Sequence, residues 1–346
     1  HGSLLCTWAI ILGYIGVVAF EACALPTVLE YIAPDFLRGY MYTVEGFDIY
    51  ATWVAVGVIS SLIITYVNYI GIKPAAFLQG ILTAVIIAIG LVLIAGSSVS
   101  GNLTYTEPLF NDGFGGILSV AVMTPFMFVG FDVIPQAAEE IAIPFKDIGK
   151  LIILSIGSAV VWYAVIILSV SVMMTAPEID SSVLVTADAI KKAYGGSELM
   201  AKLLIIGGMA GIVSSWNSFF MGGSRAIYAL AKARCLPEFL SVLHPRYKTP
   251  TNAIILIGAI SCIAPFFGRA MMVWLTNAGG TGAVTAYLMV SISFLVLRRK
   301  EPELRRPYFV KNHRFVGGMA VILSSIMLLL YMPGMPSGLM IPEWTI

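Results

Sequence analysis

Charge is what this sequence has least of. Only 11% of its 346 residues are Asp, Glu, Lys or Arg, and 59% are hydrophobic, whereas a soluble domain carries roughly 25% charged residues. The polar surface needed to cover a water-soluble globule of this length is missing, which leaves a multi-span helical membrane protein. The charges that remain nearly cancel, at net +1, so nothing in them suits a nucleic-acid partner. Histidine is scarce too. His1, His244 and His313 fall at the terminus or in polar connections, so no nucleophile–base or metal constellation is expected within the spans, and neither is an enzyme, a metal or a cofactor. The four cysteines, Cys6, Cys23, Cys235 and Cys262, show no metal-ligand spacing. Cys6 and Cys23 share one expected helix about 25 Å apart and cannot pair, so a disulfide framework is not expected. An initiator Met and a signal peptide are also missing. HGSLLCTW runs straight into an apolar stretch, so the chain reads as a fragment.

What is present is a succession of apolar stretches. Residues 4–33, 49–70, 72–96, 115–141, 149–175, 199–233, 253–267, 271–297 and 316–332 read as nine spans joined by short loops, with no soluble domain inserted. The longest polar segments are 97–111, 177–198 and the basic run 298–314. Alternate loops belong on opposite sides. One side then receives Lys73, Lys146, Lys150, the stretch from Arg225 to Lys248 and the run from Arg298 to Arg314, which together hold fifteen of the twenty Lys and Arg. The other receives Arg38, Lys191, Lys192, Lys202 and Arg269. The excess makes the first side cytoplasmic, so the first span runs outward and the fourth inward. A multi-pass protein of the plasma (inner) membrane is expected.

The organising stretch is 122–144, VMTPFMFVGFDVIPQAAEEIAIP. It starts as an apolar helix and is interrupted by Pro125, Gly130 and Pro135, with Asp132 inside the interruption. Proline removes a backbone donor and glycine tolerates unusual dihedrals. In hydrocarbon the freed backbone groups need other partners, so such a break persists only where it is buried in protein or lines a cavity. Discontinuous helices of this kind build the binding sites of secondary transporters, although a Pro-kinked packing helix is the plainer reading.

Other polar residues stand out against the apolar background. Glu21 lies deep in the first span, where an isolated carboxylate costs about 3 kcal/mol or more. It reads either as a substrate or proton site or as a protonated glutamate bonded between helices. Glu30, nearer the outer interface, reads as solvated. Pro26 frees a carbonyl one turn beyond Glu21. Asn68 to Pro74 form a tight turn with a proline at a helix start. Thr83 is expected to bond back to its own helix. Glu139 and Glu140 read as a solvated helix end or as a cytoplasmic gate partnered by Arg225. The sixth span carries a polar band, Ser214-Ser215-Trp216-Asn217-Ser218, followed by Gly222-Gly223-Ser224-Arg225. The small residues serve close helix packing, and the hydroxyls and amide supply oxygens to a cation or donors to a carboxylate. The eighth span holds Trp274, Asn277, Gly279, Gly280, Thr281 and Gly282 and reads as another flexible, partly polar helix.

Three segments carry a resemblance: Phe128-Val129-Gly130-Phe131-Asp132 followed by Ala138-Glu139-Glu140 and Pro144; Gly223-Ser224-Arg225-Ala226-Ile227-Tyr228-Ala229-Leu230-Ala231-Lys232, continuing through Leu236-Pro237 to Arg246-Tyr247-Lys248-Thr249-Pro250; and Leu297-Arg298-Arg299-Lys300-Glu301-Pro302 with Arg306-Pro307-Tyr308. With these the chain resembles the amino acid–polyamine–organocation (APC) permeases over nearly its whole length. The resemblance implies an all-α membrane protein with the LeuT-like inverted-repeat transporter bundle. Residues 1–346 would form a single transmembrane domain of about nine helices, matching helices three to eleven and lacking the first two and the last. It implies that backbone groups at Val129, Gly130 and Phe131 hold the amino and carboxylate ends of a substrate, that Phe131 closes over it from outside and that Phe128 lines the pocket. Ser214, Ser215 and Asn217 would border the substrate and cation position. Some proton-coupled members carry a lysine in the fifth family helix; around Thr83 this sequence has none.

The expected function is alternating-access transport of an amino acid or a related amine or polyamine, with H+ preferred over Na+ as coupling ion and Glu21 as the titrating group. Glu21 and Asp132 would suit a cationic amine. The alternative is a membrane subunit or sensor that does not transport and whose polar interior is structural. A small-molecule substrate and the lipid bilayer are the expected partners, and oligomeric state is not legible.

Overall fold

The computed structural model of the chain describes residues 2–107, 113–136, 138, 143–182, 184–332 and 335. Helix α1 (Gly2–Ile32) leads to a hairpin, β1 (Tyr40–Val44) and β2 (Phe47–Tyr50), and then to α2 (Ala51–Tyr69) and α3 (Ile72–Ser100). The broken segment follows as α4 (Gly113–Phe128) and α5 (Val133–Gln136). Next come α6 (Phe145–Ser171), two short surface helices α7 (Ala176–Ser181) and α8 (Val185–Ala193), the long α9 (Glu198–Lys232), α10 (Thr251–Ile263), α11 (Gly268–Lys300) and α12 (His313–Leu330). Among the described residues eight helical stretches are long and apolar enough to cross a membrane. The remaining expected span is the interrupted one, whose pieces of 16 and 4 residues are each too short alone.

Local chemistry explains the parts that apolar patterning alone misses. The hairpin turns at Glu45 and Gly46, both with positive φ (48° and 81°), the two-residue geometry whose twist matches paired strands. Gly71, at φ 129°, makes the tight turn between α2 and α3. The polar segment 177–198 folds into α7 and α8 through a capping box between Thr175 and Glu178. Lys192 and the Thr175 backbone hold the Glu178 carboxyl down at about 2. Thr83 bonds back to the Gln79 carbonyl at 2.8 Å, as expected. All four cysteines are free.

Burial separates centre from rim. α1 carries a long run of buried residues, whereas α6 buries only Ile148, Ser169 and Val170 and α12 only Gly317, so α1 is the central post and α6 and α12 face outward. Their outer surfaces expose large apolar side chains such as Leu154, Val161 and Leu329, which water would penalise and acyl chains accept.

Each of α1, α2 and α3 has a counterpart about 200 residues later, in α9, α10 and α11. The packing is closed under that exchange: α1 lies on α11 as α9 lies on α3, α1 lies on α10 as α9 lies on α2, and α2 meets α10 directly. The paired helices run in opposite directions across the membrane, which is an inverted repeat. At the α2–α10 crossing Ser61 Oγ donates to the Ser261 carbonyl at 3.1 Å and Ser261 Oγ to Ser61 Oγ at 3.0 Å. On either side a glycine admits the partner helix: Gly57 faces Pro265, and Gly258 faces Thr65. The carbonyl of Ala22, which Pro26 cannot reach with a donor, lies against Gly57.

The α1–α11 contact explains Gly279 and Gly282 of the eighth expected span, while Gly280 faces Tyr331 beyond α12. Gly13 packs against the Gly279 backbone and Gly282 against the Ala9 carbonyl. These are close-approach positions in one continuous helix, not hinges. The Asn277 side chain lies outside the described residues. Glu30, expected to be solvated, is instead half-buried in an ion pair with Arg269 that ties the end of α1 to the start of α11.

A methyl group built on Gly57 would stand 2.6 Å from Pro265 Cγ and 2.7 Å from the Ala22 oxygen. Gly57→Val should therefore destabilise the protein by about 1–3 kcal/mol, read as a lowered thermal midpoint in detergent. Gly80→Ala, where nothing lies within 4 Å, should not.

Candidate functional site

The break occupies 129–132. The helical ladder continues through the Val129 N–H, which donates to the Pro125 carbonyl at 3.1 Å, and then stops. Gly130 takes φ 130°, a conformation L side chains rarely adopt. Its N–H turns to Asp132 Oδ1 at 2.9 Å. The chain restarts with Val133 N–H to the Gly130 carbonyl at 3.1 Å and Ile134 N–H to the Phe131 carbonyl at 3.3 Å. The Met127 carbonyl accepts the Tyr163 hydroxyl at 3.0 Å. Among the described residues no protein donor reaches the carbonyls of Phe128 and Val129, and no acceptor meets the N–H groups of Phe131 and Asp132.

Asp132 anchors this turn from three sides. Tyr14 of α1 donates to Oδ2 at 2.5 Å, Tyr287 of α11 reaches Oδ1 at 3.5 Å, and Gly130 supplies its backbone N–H. Aromatic rings complete the enclosure. Phe131 lies against Tyr287 with centroids 5.4 Å apart, Phe128 against Tyr163 of α6 at 5.4 Å, and Phe219 of α9 against Tyr14 at 5.4 Å and beside Gly130. Phe128, Val129, Gly130, Phe131 and Asp132 are all half-buried and form one constellation, in which Asp132 already has internal donors on both oxygens.

Glu21 sits two turns beyond Tyr14 on α1, buried at 7% exposure, with the Ser215 hydroxyl of α9 beside its carboxyl. Ser215 therefore lies on the α1 side of α9.

Ser214 and Asn217 lie elsewhere. Asn217 Nδ2 donates to the Ala75 carbonyl at 3.1 Å and to Gln79 Oε1 at 3.3 Å, and its Oδ1 accepts Asn68 Nδ2 at 3.0 Å. Gln79 Nε2 donates to Ser214 Oγ at 2.6 Å. With Asn68 and Asn217 at 2% and 0% exposure, this is a closed network joining α2, α3 and α9 on the face away from the break. The helical period separates Ser214 and Asn217 from Ser215, a division that their adjacency in sequence conceals.

Arg225 bonds to the Met221 carbonyl at 3.4 Å and to Ser224 Oγ at 3.1 Å. It lines a cleft of about 590 Å³ with Pro135, Gln136, Tyr228, Lys232 and Lys248, directly beneath α5. Glu139 and Glu140 lie outside the described residues.

Sequence reasoning missed Tyr14, Tyr287, Phe219, Asn68 and Gln79. Tyr14 carried a usable signal, since it shares a helix face with Glu21 at a spacing of seven. Tyr287 carried none beyond being an aromatic in an apolar span.

Residues 3–343 match a family model described as an amino acid permease. A branched-chain amino acid permease of Bacillus subtilis (strain 168) is 28% identical over 272 residues, covering 77% of this chain and 56% of its own length. A methylthioribose transporter of the same organism is 26% identical over 270 residues, with 77% and 56% covered. The vacuolar cationic amino acid transporter 4 of Arabidopsis thaliana is 26% identical over 310 residues, with 86% and 50% covered. The chain thus spans about half the length of the curated relatives it matches.

Two substitutions separate the break from the scaffold. Asn217→Leu strands Asn68, Gln79 and the Ala75 carbonyl and should cost about 1–3 kcal/mol of stability, seen as a lower thermal midpoint. Tyr14→Phe removes one donor to Asp132 and should cost about 1 kcal/mol, while protease nicking near Gly130 increases as the turn loosens.

Proposed function

Because the chain belongs to the amino acid permease family, and is an integral multi-pass membrane protein and not an enzyme, we propose that it translocates an amino acid or a related amine by alternating access. The observation that carries this is the set of unclaimed backbone groups at the break. The carbonyls of Phe128 and Val129 suit an ammonium group, and the N–H groups of Phe131 and Asp132 suit a carboxylate. A zwitterion supplies both. Asp132 acts from behind: by accepting the Gly130 N–H and the Tyr14 hydroxyl it holds the turn open. Its two oxygens are engaged within the protein, so the substrate's charge is met by main-chain dipoles and not by this carboxylate.

The proton is the proposed coupling ion and Glu21 the group that carries it. Glu21 is buried against Ser215. It stands seven residues, about 10 Å along the helix, from Tyr14, the residue that grips Asp132. Protonation at Glu21 then bears on the α1–α9 contact against which the break is set. The cleft beneath α5, with Arg225 on its wall, is the inward path on the face richer in Lys and Arg, and the bacterial relatives support residence in a plasma (inner) membrane.

A ligand at about 100 times its Kd raises stability by about 2.7 kcal/mol, so a thermal-shift screen of the purified protein against amino acids and amines should find a stabilising ligand. Gly130→Ala, which forces a side chain into φ 130°, should abolish that shift while the protein remains folded. Absence of any stabilising ligand would favour a membrane subunit or sensor. In proteoliposomes, uptake should rise as external pH falls. Glu21→Gln should flatten that dependence, and an unaltered pH profile would remove Glu21 from coupling.

A further inference from the structure

The connection between α11 and α12 is folded onto its neighbours. Arg306 donates to the carbonyls of Leu297, Glu301, Pro302 and Leu304, so one guanidinium caps the carbonyl end of α11 and gathers the loop beneath it. Tyr308 lies flat against Gly149, where an added methyl would meet its ring at 2.7 Å. That contact docks the loop on the first turns of α6. Exposed cations flank that contact along the chain: Lys146 three residues before Gly149 on α6, Arg299, Lys300, Arg305 and Lys311 on either side of Tyr308, and Arg314 at the start of α12. Interleaved with them are Phe145 at 61% exposure, Phe309 at 63% and Phe315 at 71%. Arg298 lies over the Phe309 ring at 4.6 Å. The opposing acidic groups are few. Among the described residues of these elements Asp147 is tied to Lys150, leaving Glu301 and Glu303; Glu139 and Glu140, which precede α6, lie outside the described residues.

We propose that this patch docks the headgroups of anionic phospholipids, joining α6 to the α11–α12 pair. The sidedness bias of membrane proteins would be met by cations placed anywhere in the loop. Here they are interspersed with exposed aromatic rings at the first turns of two outward-facing helices and in the loop docked on α6, where a spanning helix leaves the hydrocarbon. Phosphate groups answer the cations, and the rings enter the interface beside them. A soluble anion would use the charges and leave the rings in water.

The test uses the purified chain with dioctanoyl phosphatidylglycerol and dioctanoyl phosphatidylcholine, read by native mass spectrometry and thermal shift. Phosphatidylglycerol should bind and stabilise, and higher salt should weaken it. Combining Lys146→Gln, Arg299→Gln, Lys300→Gln, Arg305→Gln and Lys311→Gln should weaken binding about fivefold per cation removed, while the melting point in phosphatidylcholine stays that of the parent. The pair Phe309→Ser and Phe315→Ser, with every cation kept, should also lose phosphatidylglycerol. Equal binding of the two lipids, unchanged phosphatidylglycerol binding by either variant, or displacement by millimolar inorganic phosphate would each overturn the proposal. None of these readouts depends on transport.

Discussion

Within a bilayer every main-chain N–H and C=O needs a partner that the lipid cannot provide. The turn at 129–132 departs from the helical ladder under that constraint, and most of the site's construction follows from how its groups are satisfied. Asp132 substitutes for the lost helical acceptor by taking the Gly130 N–H, and Tyr163 substitutes for a lost donor at the Met127 carbonyl. The groups left over point to the proposed substrate position. Asp132 thus closes the turn through its bonds to Gly130, Tyr14 and Tyr287, which occupy both of its oxygens within the protein.

The rest of the bundle gives this repair a fixed reference. α1 is the most buried of the long helices, and it presents Tyr14 to the break and Glu21 to α9 from one face. α9 divides its two faces between duties. Ser215 and Phe219 look toward α1 and the break, while Ser214 and Asn217 lock onto α2 and α3. The closed amide network stiffens one wall of the scaffold, and the aromatic enclosure lines the other.

Much of the fold was legible in the sequence because hydrophobic length is a strong signal. The spans, the turn at Gly71 and the break at Gly130 all follow from apolar runs and special backbone residues. What escaped was set by distance. Ser61 and Ser261, or Asn68 and Asn217, show no sign of their pairing until the fold brings them together. Adjacent polar residues also mislead in a helix: Ser214 and Ser215 are neighbours in the chain and stand about 100° apart around the axis. Glu30 was misjudged because its partner, Arg269, lies at the far end of the sequence. Gly279 and Gly282 of α11 signalled flexibility on paper and tight contact with α1 in space.

The Ser61–Ser261 pair stands where the exchange of the two repeats maps the crossing onto itself. A residue elsewhere has a counterpart in a different neighbourhood and can be changed in one half alone. These two serines are each other's counterpart, so each forms the other's surroundings. A larger side chain at either one would displace both helices at once, and the cost would fall on both halves of the molecule equally. Self-pairing of this kind rewards small, two-way hydrogen-bonding groups, and a hydroxyl facing a hydroxyl meets that demand at the shortest separation.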